Sequence, residues 1–172
     1  QDTTPTATLD VTGSIAATLD INAVGTIKAE KFQSSTSTVN GADAVALGDN
    51  TIASGAQSTA MGLITTASGG QSTAMGWNTT ASASYSTGIG YGTTASGAGS
   101  IAAGYSVLGK LDATNSGSIA LGYGDQEVTA TNAGIESTGV GAIAMGYSSG
   151  ISGNALIRAS GNGAIAGGYI SV

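Results

Sequence analysis

The chain has no cysteine and no histidine. Without cysteine there is no disulfide framework and no thiol chemistry. Without either residue the usual pairs of base and nucleophile are missing, so neither an enzyme nor a cofactor is expected. Charge is scarce as well: Asp, Glu, Lys and Arg make up 8% of 172 residues, against about a quarter in ordinary domains. Only Lys28, Lys31, Lys110 and Arg158 are basic, within a net charge of −6. Phosphate neutralisation needs clustered cations, so no nucleic-acid partner is expected. No charge at all falls between Asn50 and Gly109, and repulsion would do little to keep copies apart there. No apolar run approaches the roughly 18 residues that span a bilayer, so no membrane insertion is expected. Aromatics are 5%, too few for a large conventional core, and there is a single proline.

What fills the chain instead is a repeat. Ser58-Thr-Ala-Met-Gly62, Ser72-Thr-Ala-Met-Gly76, Ser86-Thr-Gly-Ile-Gly90 and Ser100-Ile-Ala-Ala-Gly104 follow one another at fourteen residues. The filler repeats too, as Thr65-Thr-Ala-Ser-Gly69, Thr79-Thr-Ala-Ser-Ala83 and Thr93-Thr-Ala-Ser-Gly97. So short and strict a period marks a solenoid with one repeat per coil, and it argues against a disordered Ser/Gly linker. The core x-φ-Ala-φ-Gly can be aligned from Ala44, Ser58, Ser72, Ser86, Ser100, Ser118, Ala142 and Ala164, giving eight coils over residues 41–172. The later spacings are 18, 24 and 22 residues, which puts insertions at 107–117, 125–141 and 149–163. Insertions of this kind are expected to leave a solenoid as loops on one face.

Residues 1–40 read differently. Thr8-Leu-Asp-Val11 recurs as Thr18-Leu-Asp-Ile21, and Leu9, Val11, Ile15, Leu19, Ile21, Val24 and Ile27 alternate with polar residues. This predicts an arm of short strands with too few apolar residues for a core of its own. Gln33–Asn40 reads as a polar linker closed by a turn at Asn40-Gly41. The start at Gln1-Asp2-Thr3, without Met, fits a mature terminus left by removal of a secretion signal.

Alternate side chains of a strand face opposite ways. In each coil core the φ positions therefore share one face, as Val45 with Leu47 or Ile143 with Met145, and Ala46, Ala60 or Ala144 take the other. Gly48, Gly62, Gly76, Gly90, Gly104, Gly122, Gly146 and Gly168 close the cores and are expected at corners, where φ > 0 suits a residue without a side chain. With both faces apolar, a single thin coil can cover only one of them, which predicts a symmetric homo-oligomer. The residue after the corner is aromatic in six coils: Trp77, Tyr91, Tyr105, Tyr123, Tyr147 and Tyr169. Stacked, they form a ladder that serves inter-coil packing or a glycan- or protein-binding stripe.

The Ser-x-Ala-φ-Gly core, with Ala-Ser-Gly in the return, resembles the head repeat of YadA-like trimeric autotransporter adhesins. Ser58–Gly62, Ala67–Gly69, Ser72–Gly76, Ala95–Gly97, Ser100–Gly104 and Ser118–Gly122 carry the resemblance. It implies a left-handed parallel β-roll, three chains to a rod, and adhesion at a cell surface to a host or cell-surface glycan or matrix protein. Neither the family's coiled coil nor its anchor strands have a counterpart in this sequence. The N-terminal Leu-Asp-Val/Ile segments resemble phage tail-fibre strands instead. The expected product is an all-β, extracellular, homotrimeric rod: a surface or secreted fibre subunit or adhesin head, or a phage tail-fibre segment binding a host receptor. Uncapped solenoid ends invite strand addition, so the arm of one copy could extend the end coil of the next into a filament.

Two further readings concern particular side chains. Asp125, Glu127 and Glu136 cluster in the longest insertion; solvated loop charge comes first, a Ca²⁺ site second and acid–base catalysis a remote third. Thr65-Thr66, Thr79-Thr80 and Thr93-Thr94 repeat at the coil period, the pattern of an ice-binding solenoid, but adjacent residues face opposite ways, leaving one rank per face.

Overall fold

The computed structural model describes residues 32–33, 36–107, 110–126, 132–150 and 154–171. The expected arm, Leu9 to Ile27, lies outside the described residues. Within them every regular element is a strand. First come β1 (Phe32–Gln33) and β2 (Thr38–Val39). Narrow coils follow: β3 (Val45–Asp49), β4 (Ile52–Ala53), β5 (Thr59–Leu63), β6 (Thr66–Ala67), β7 (Thr73–Trp77), β8 (Thr80–Ala81), β9 (Thr87–Tyr91) and β10 (Thr94–Ala95). Then the strands lengthen: β11 (Ile101–Ser106), β12 (Lys110–Ala113), β13 (Ile119–Gln126), β14 (Asn132–Ser137), β15 (Ile143–Gly150), β16 (Asn154–Ala159) and β17 (Ile165–Ser171).

Odd-numbered strands form one nine-stranded sheet in sequence order, and even-numbered strands form a facing eight-stranded sheet. Every pairing is parallel, so the chain is a parallel β-solenoid. The register is that of the repeat: Val45↔Thr59, Ala46↔Ala60 and Leu47↔Met61 in one sheet, Thr66↔Thr80 and Ala67↔Ala81 in the other. Each coil therefore stacks on its own copy, and one favourable position becomes a column.

The hydrogen-bond ladder does not stop at the sheet margins. Gln57, Gln71 and Tyr85 donate their N–H groups to the carbonyls of Ala42, Ala56 and Gly70, at 2.7, 2.8 and 2.9 Å. On the opposite turn, Ile64 and Asn78 donate to Asp49 and Leu63, at 3.0 and 2.9 Å. These bonds hold Gln57, Gln71, Tyr85 and Ile64 at φ of 55 to 61°, a left-handed conformation that costs an L-residue roughly 1–2 kcal/mol. The Gln71 side chain also donates to that of Gln57 at 2.9 Å, extending the ladder outside the backbone.

Two expectations are corrected. Part of the Gln33–Asn40 stretch, read as a linker, is already in the solenoid: Phe32–Gln33 pairs with Val45–Ala46, and Thr38–Val39 pairs with Ile52–Ala53. A two-residue strand needs only one inward side chain, here buried Val39, and so carries almost no pattern for a sequence reading to find. The insertions are also not simply loops. Their residues lengthen both strands, from two to as many as six in the small sheet and from five to as many as eight in the large one. The physical reason is inward apolar side chains. Leu111, Ile135 and Ile157 alternate with Asp112, Glu136 and Arg158, and such a segment lies more favourably across a core than in water.

The core accordingly has two parts. In the narrow coils it holds only small groups: Ala46, Ala60, Ala74, Ala53, Ala67 and Ala81, with buried Ser58, Ser72, Ser86, Thr51, Thr65 and Thr79. Several hydroxyls bond to the backbone, as Ser72 and Ser86 do to the carbonyls of Gly69 and Ala83, both at 2.7 Å. The wide coils add Leu111, Ile135 and Ile157 to the alanines. The parts meet near Gly88, which stands in the inward column where the neighbouring strands have Ala74 and Ala102.

Candidate functional site

With the alanines turned inward, the other face of the nine-stranded sheet is left uncovered. Three columns run along it. The first reads Val45, Thr59, Thr73, Thr87, Ile101, Ile119, Ile143, Ile165, and the second Leu47, Met61, Met75, Ile89, Ala103, Leu121, Met145, Gly167. The third begins with Asp49 and Leu63 and continues as Trp77, Tyr91, Tyr105, Tyr123, Tyr147 and Tyr169. Many of these side chains face solvent: Trp77 is 48% exposed, Ile89 43%, Met145 42%, and Ile165 and Tyr169 73% each. A contiguous apolar surface of this length is what partners bind to.

The aromatic column is continuous. Ring centroids are 4.8 Å apart for Trp77–Tyr91 and then 4.9, 5.1, 4.9 and 4.7 Å up to Tyr169. The first pair meets edge to face at 74°, while the upper three are stacked within 10° of parallel. The spacing is that of strands in a sheet, about 4.8 Å, so the backbone imposes the stack and the rings add offset-stacking energy to it.

The corner glycines lie inside the strands, one residue before that column. From Gly48 to Gly146 their φ values run from +118 to +145°, a region that L side chains rarely adopt. A Cβ on any of the seven would lie 1.8 to 2.0 Å from the carbonyl oxygen of the corner glycine one strand up. Gly168, in the last strand, differs: a Cβ there meets nothing within 4 Å, and its φ is outside that region.

The other candidate residues are not gathered into a site. Asp125 is on β13 of the large sheet and Glu136 on β14 of the small one, while Glu127 lies outside the described residues. The Glu136 carboxylate is buried and accepts a salt bridge from Arg158 at 2.8 Å. No group of three acidic or other ligating side chains stands together among the described residues. Of the paired threonines, Thr65, Thr79 and Thr93 are buried within the coils, and only Thr66, Thr80 and Thr94 reach the outside. The small sheet thus offers a single outward rank of threonines rather than a flat array.

Sequence reasoning overlooked the part played by Leu111, Ile135 and Ile157. Aligning Thr94-Ala95 with Asp112-Ala113, Glu136-Ser137 and Arg158-Ala159 would have revealed a lengthened return strand with an apolar inward position.

Compared with known families, the chain matches the YadA head domain repeat over residues 40–63, 67–87 and 81–106. No match was found among curated proteins or among solved structures. The repeat points to a structural or adhesin-like role at a cell surface, of the kind trimeric autotransporter adhesins have. Residues 40–106 carry the YadA head repeat, and strands β13, β15 and β17 continue its register above the matched stretch.

Proposed function

We propose that the chain is an extracellular structural rod: a homotrimer serving as a surface or secreted fibre subunit or adhesin head, able to join head to tail through its N-terminal arm. The observation that carries the trimer is the uncovered face of the nine-stranded sheet. Five outward side chains of its first two columns, Met75, Ile89, Ile101, Met145 and Ile165, are exposed. Covering a large apolar side chain is worth about 1.5–3 kcal/mol. Even half of that over five positions comes to about 4–8 kcal/mol, which falls within the association cost of about 4–15 kcal/mol. A three-fold axis covers the same columns in every copy. In this reading the first two columns meet at the axis. The aromatic column, beyond the glycine corner, lies at the rim, where a host glycan or matrix protein would meet it.

Measuring the mass of the purified protein in solution tests this. Three chains per particle are expected, and the double variant Met75→Lys/Ile89→Lys should give monomers that keep their β-sheet circular dichroism. A wild-type protein that stays monomeric at tens of micromolar would overturn the trimer.

A further inference from the structure

The aromatic column holds five of the six tyrosines in the chain: Tyr91, Tyr105, Tyr123, Tyr147 and Tyr169. Each pairs in register with the next, so the sheet itself brings the rings together. Tyr105–Tyr123, Tyr123–Tyr147 and Tyr147–Tyr169 have centroids 5.1, 4.9 and 4.7 Å apart, with 10, 7 and 10° between their planes. Offset rings at that spacing have carbons near van der Waals contact. The column is also open to solvent. Tyr105 is 40% exposed and Tyr169 73%, and the other three are half-buried.

The sixth tyrosine stands apart. Tyr85 is 66% exposed, but it belongs to the turn column, where Gln71 precedes it and Gly99 follows at the same positive φ. Among the described residues, no ring stacks on it. One chain therefore carries exposed tyrosine both with and without a ring at contact.

We propose that the ladder is a site of oxidative cross-linking, at which a peroxide-class oxidant joins stacked tyrosines of neighbouring strands as dityrosine. Each phenol gives up one electron and its hydroxyl proton, leaving a phenoxyl radical with spin on the carbons ortho to oxygen. Two such carbons on adjacent rings form a C–C bond. Each of them then passes its hydrogen to the neighbouring oxygen, which restores both phenols. The two electrons and two protons reduce one hydrogen peroxide to two waters. A lone tyrosyl radical must wait for a collision, whereas in the ladder the second ring is already held in place, which raises its effective concentration far above that of a free reactant. The broad χ2 torsion of tyrosine lets the joined rings turn toward the new bond. Links across β11–β13, β13–β15 or β15–β17 tie separate coils together in a chain that has no cysteine to do so. All the rings belong to one chain, so the inference goes beyond the rod reading and does not need the trimer.

The test is to oxidise the full-length protein at low concentration with a haem peroxidase and hydrogen peroxide. Dityrosine fluorescence should appear while chains keep their single-chain mass under denaturing conditions. Peptide mapping by mass spectrometry should find 105–123, 123–147 or 147–169 links. Because the reaction is within one chain, about tenfold dilution should leave the yield per chain unchanged. Tyr147→Phe keeps the ring and removes its phenol. It should roughly halve the within-chain yield, since five phenols in register allow two couplings and the remaining Tyr91, Tyr105 and Tyr123 allow one. Tyr85→Phe should leave that yield unchanged. Oxidised wild type should melt about 5 °C or more above untreated protein, because each link closes a loop of the unfolded chain. Dityrosine formed only between chains, or only through Tyr85, would overturn the proposal. So would a Tyr147→Phe protein that links within chains as fully as wild type. The number of chains per particle is decided separately, by the mass of the untreated protein.

Discussion

The narrow coils of β3–β10 and the wide coils of β11–β17 share one backbone plan and differ in what they enclose. Below Gly88 the interior is alanine methyls and hydroxyls; above it, Leu111, Ile135 and Ile157 bridge the two sheets. A narrow coil buries little apolar area, so its order rests on an unbroken hydrogen-bond ladder and on close backbone approach. A wide coil adds a conventional hydrophobic core to the same ladder. The repeat's corner and ladder are the constant part, and width is adjusted by adding residues to both strands together.

If the corner is the constant part, both regions should fail alike when it is filled. Gly76→Ala places a Cβ 1.9 Å from the Gly90 oxygen; Gly122→Ala places one 2.0 Å from the Gly146 oxygen and 2.9 Å from Ile135 Cδ1. The obstructing atom is backbone in both cases and cannot turn aside. Each variant should lose about 4 kcal/mol or more, the range of exceptional single substitutions, seen as loss of the cooperative melting transition. A Gly76→Ala protein that melts like wild type would mean the narrow coils have slack that the wide ones lack.

Core substitutions should separate the regions. Ile135→Ala empties space between the sheets of a wide coil and should cost about 2–5 kcal/mol in chemical denaturation. In a narrow coil the sensitivity has the opposite sense: Ala74→Val adds methyls where the facing sheet already touches, and should cost about 1–3 kcal/mol. If Ala74→Val were stabilising, the narrow interior would be underpacked and the contrast would fail.

How much of this could be read beforehand follows from the same contrast. In the narrow coils the sequence period and the structural register coincide, since Thr59 pairs with Thr73 and Gly62 with Gly76. The all-β solenoid and the column of rings after the corner were therefore legible. The wide coils break the period, and Lys110-Leu111-Asp112-Ala113 is too short an alternation to separate a lengthened strand from a loop. Phe32–Gln33 is shorter still and was lost in a polar stretch. As for the site, a sequence shows which side chains share a face. Whether alanines or larger residues turn inward depends on how close the return strand comes, and Thr66-Ala67 gives no measure of that distance.

The smallest expected effect concerns the hydroxyls that make the narrow interior polar. Thr51, Thr65, Thr79 and Thr93 are buried, and none of their Oγ1 atoms has a hydrogen-bond partner. The β-branched shape fits the strand margin, but the hydroxyl is desolvated without return. Thr79→Val keeps the shape and replaces the oxygen by a methyl, so it should stabilise the protein by about 1 kcal/mol, the lower end of the cost of a buried unsatisfied group. Thr80→Val, one residue on and on the outside, is the control and should change stability by less than about 0.5 kcal/mol. Thermal melting of the two variants reads the difference directly. Should Thr79→Val destabilise instead, those hydroxyls are satisfied in solution, and the narrow interior is held by side-chain hydrogen bonds as well as by the backbone ladder.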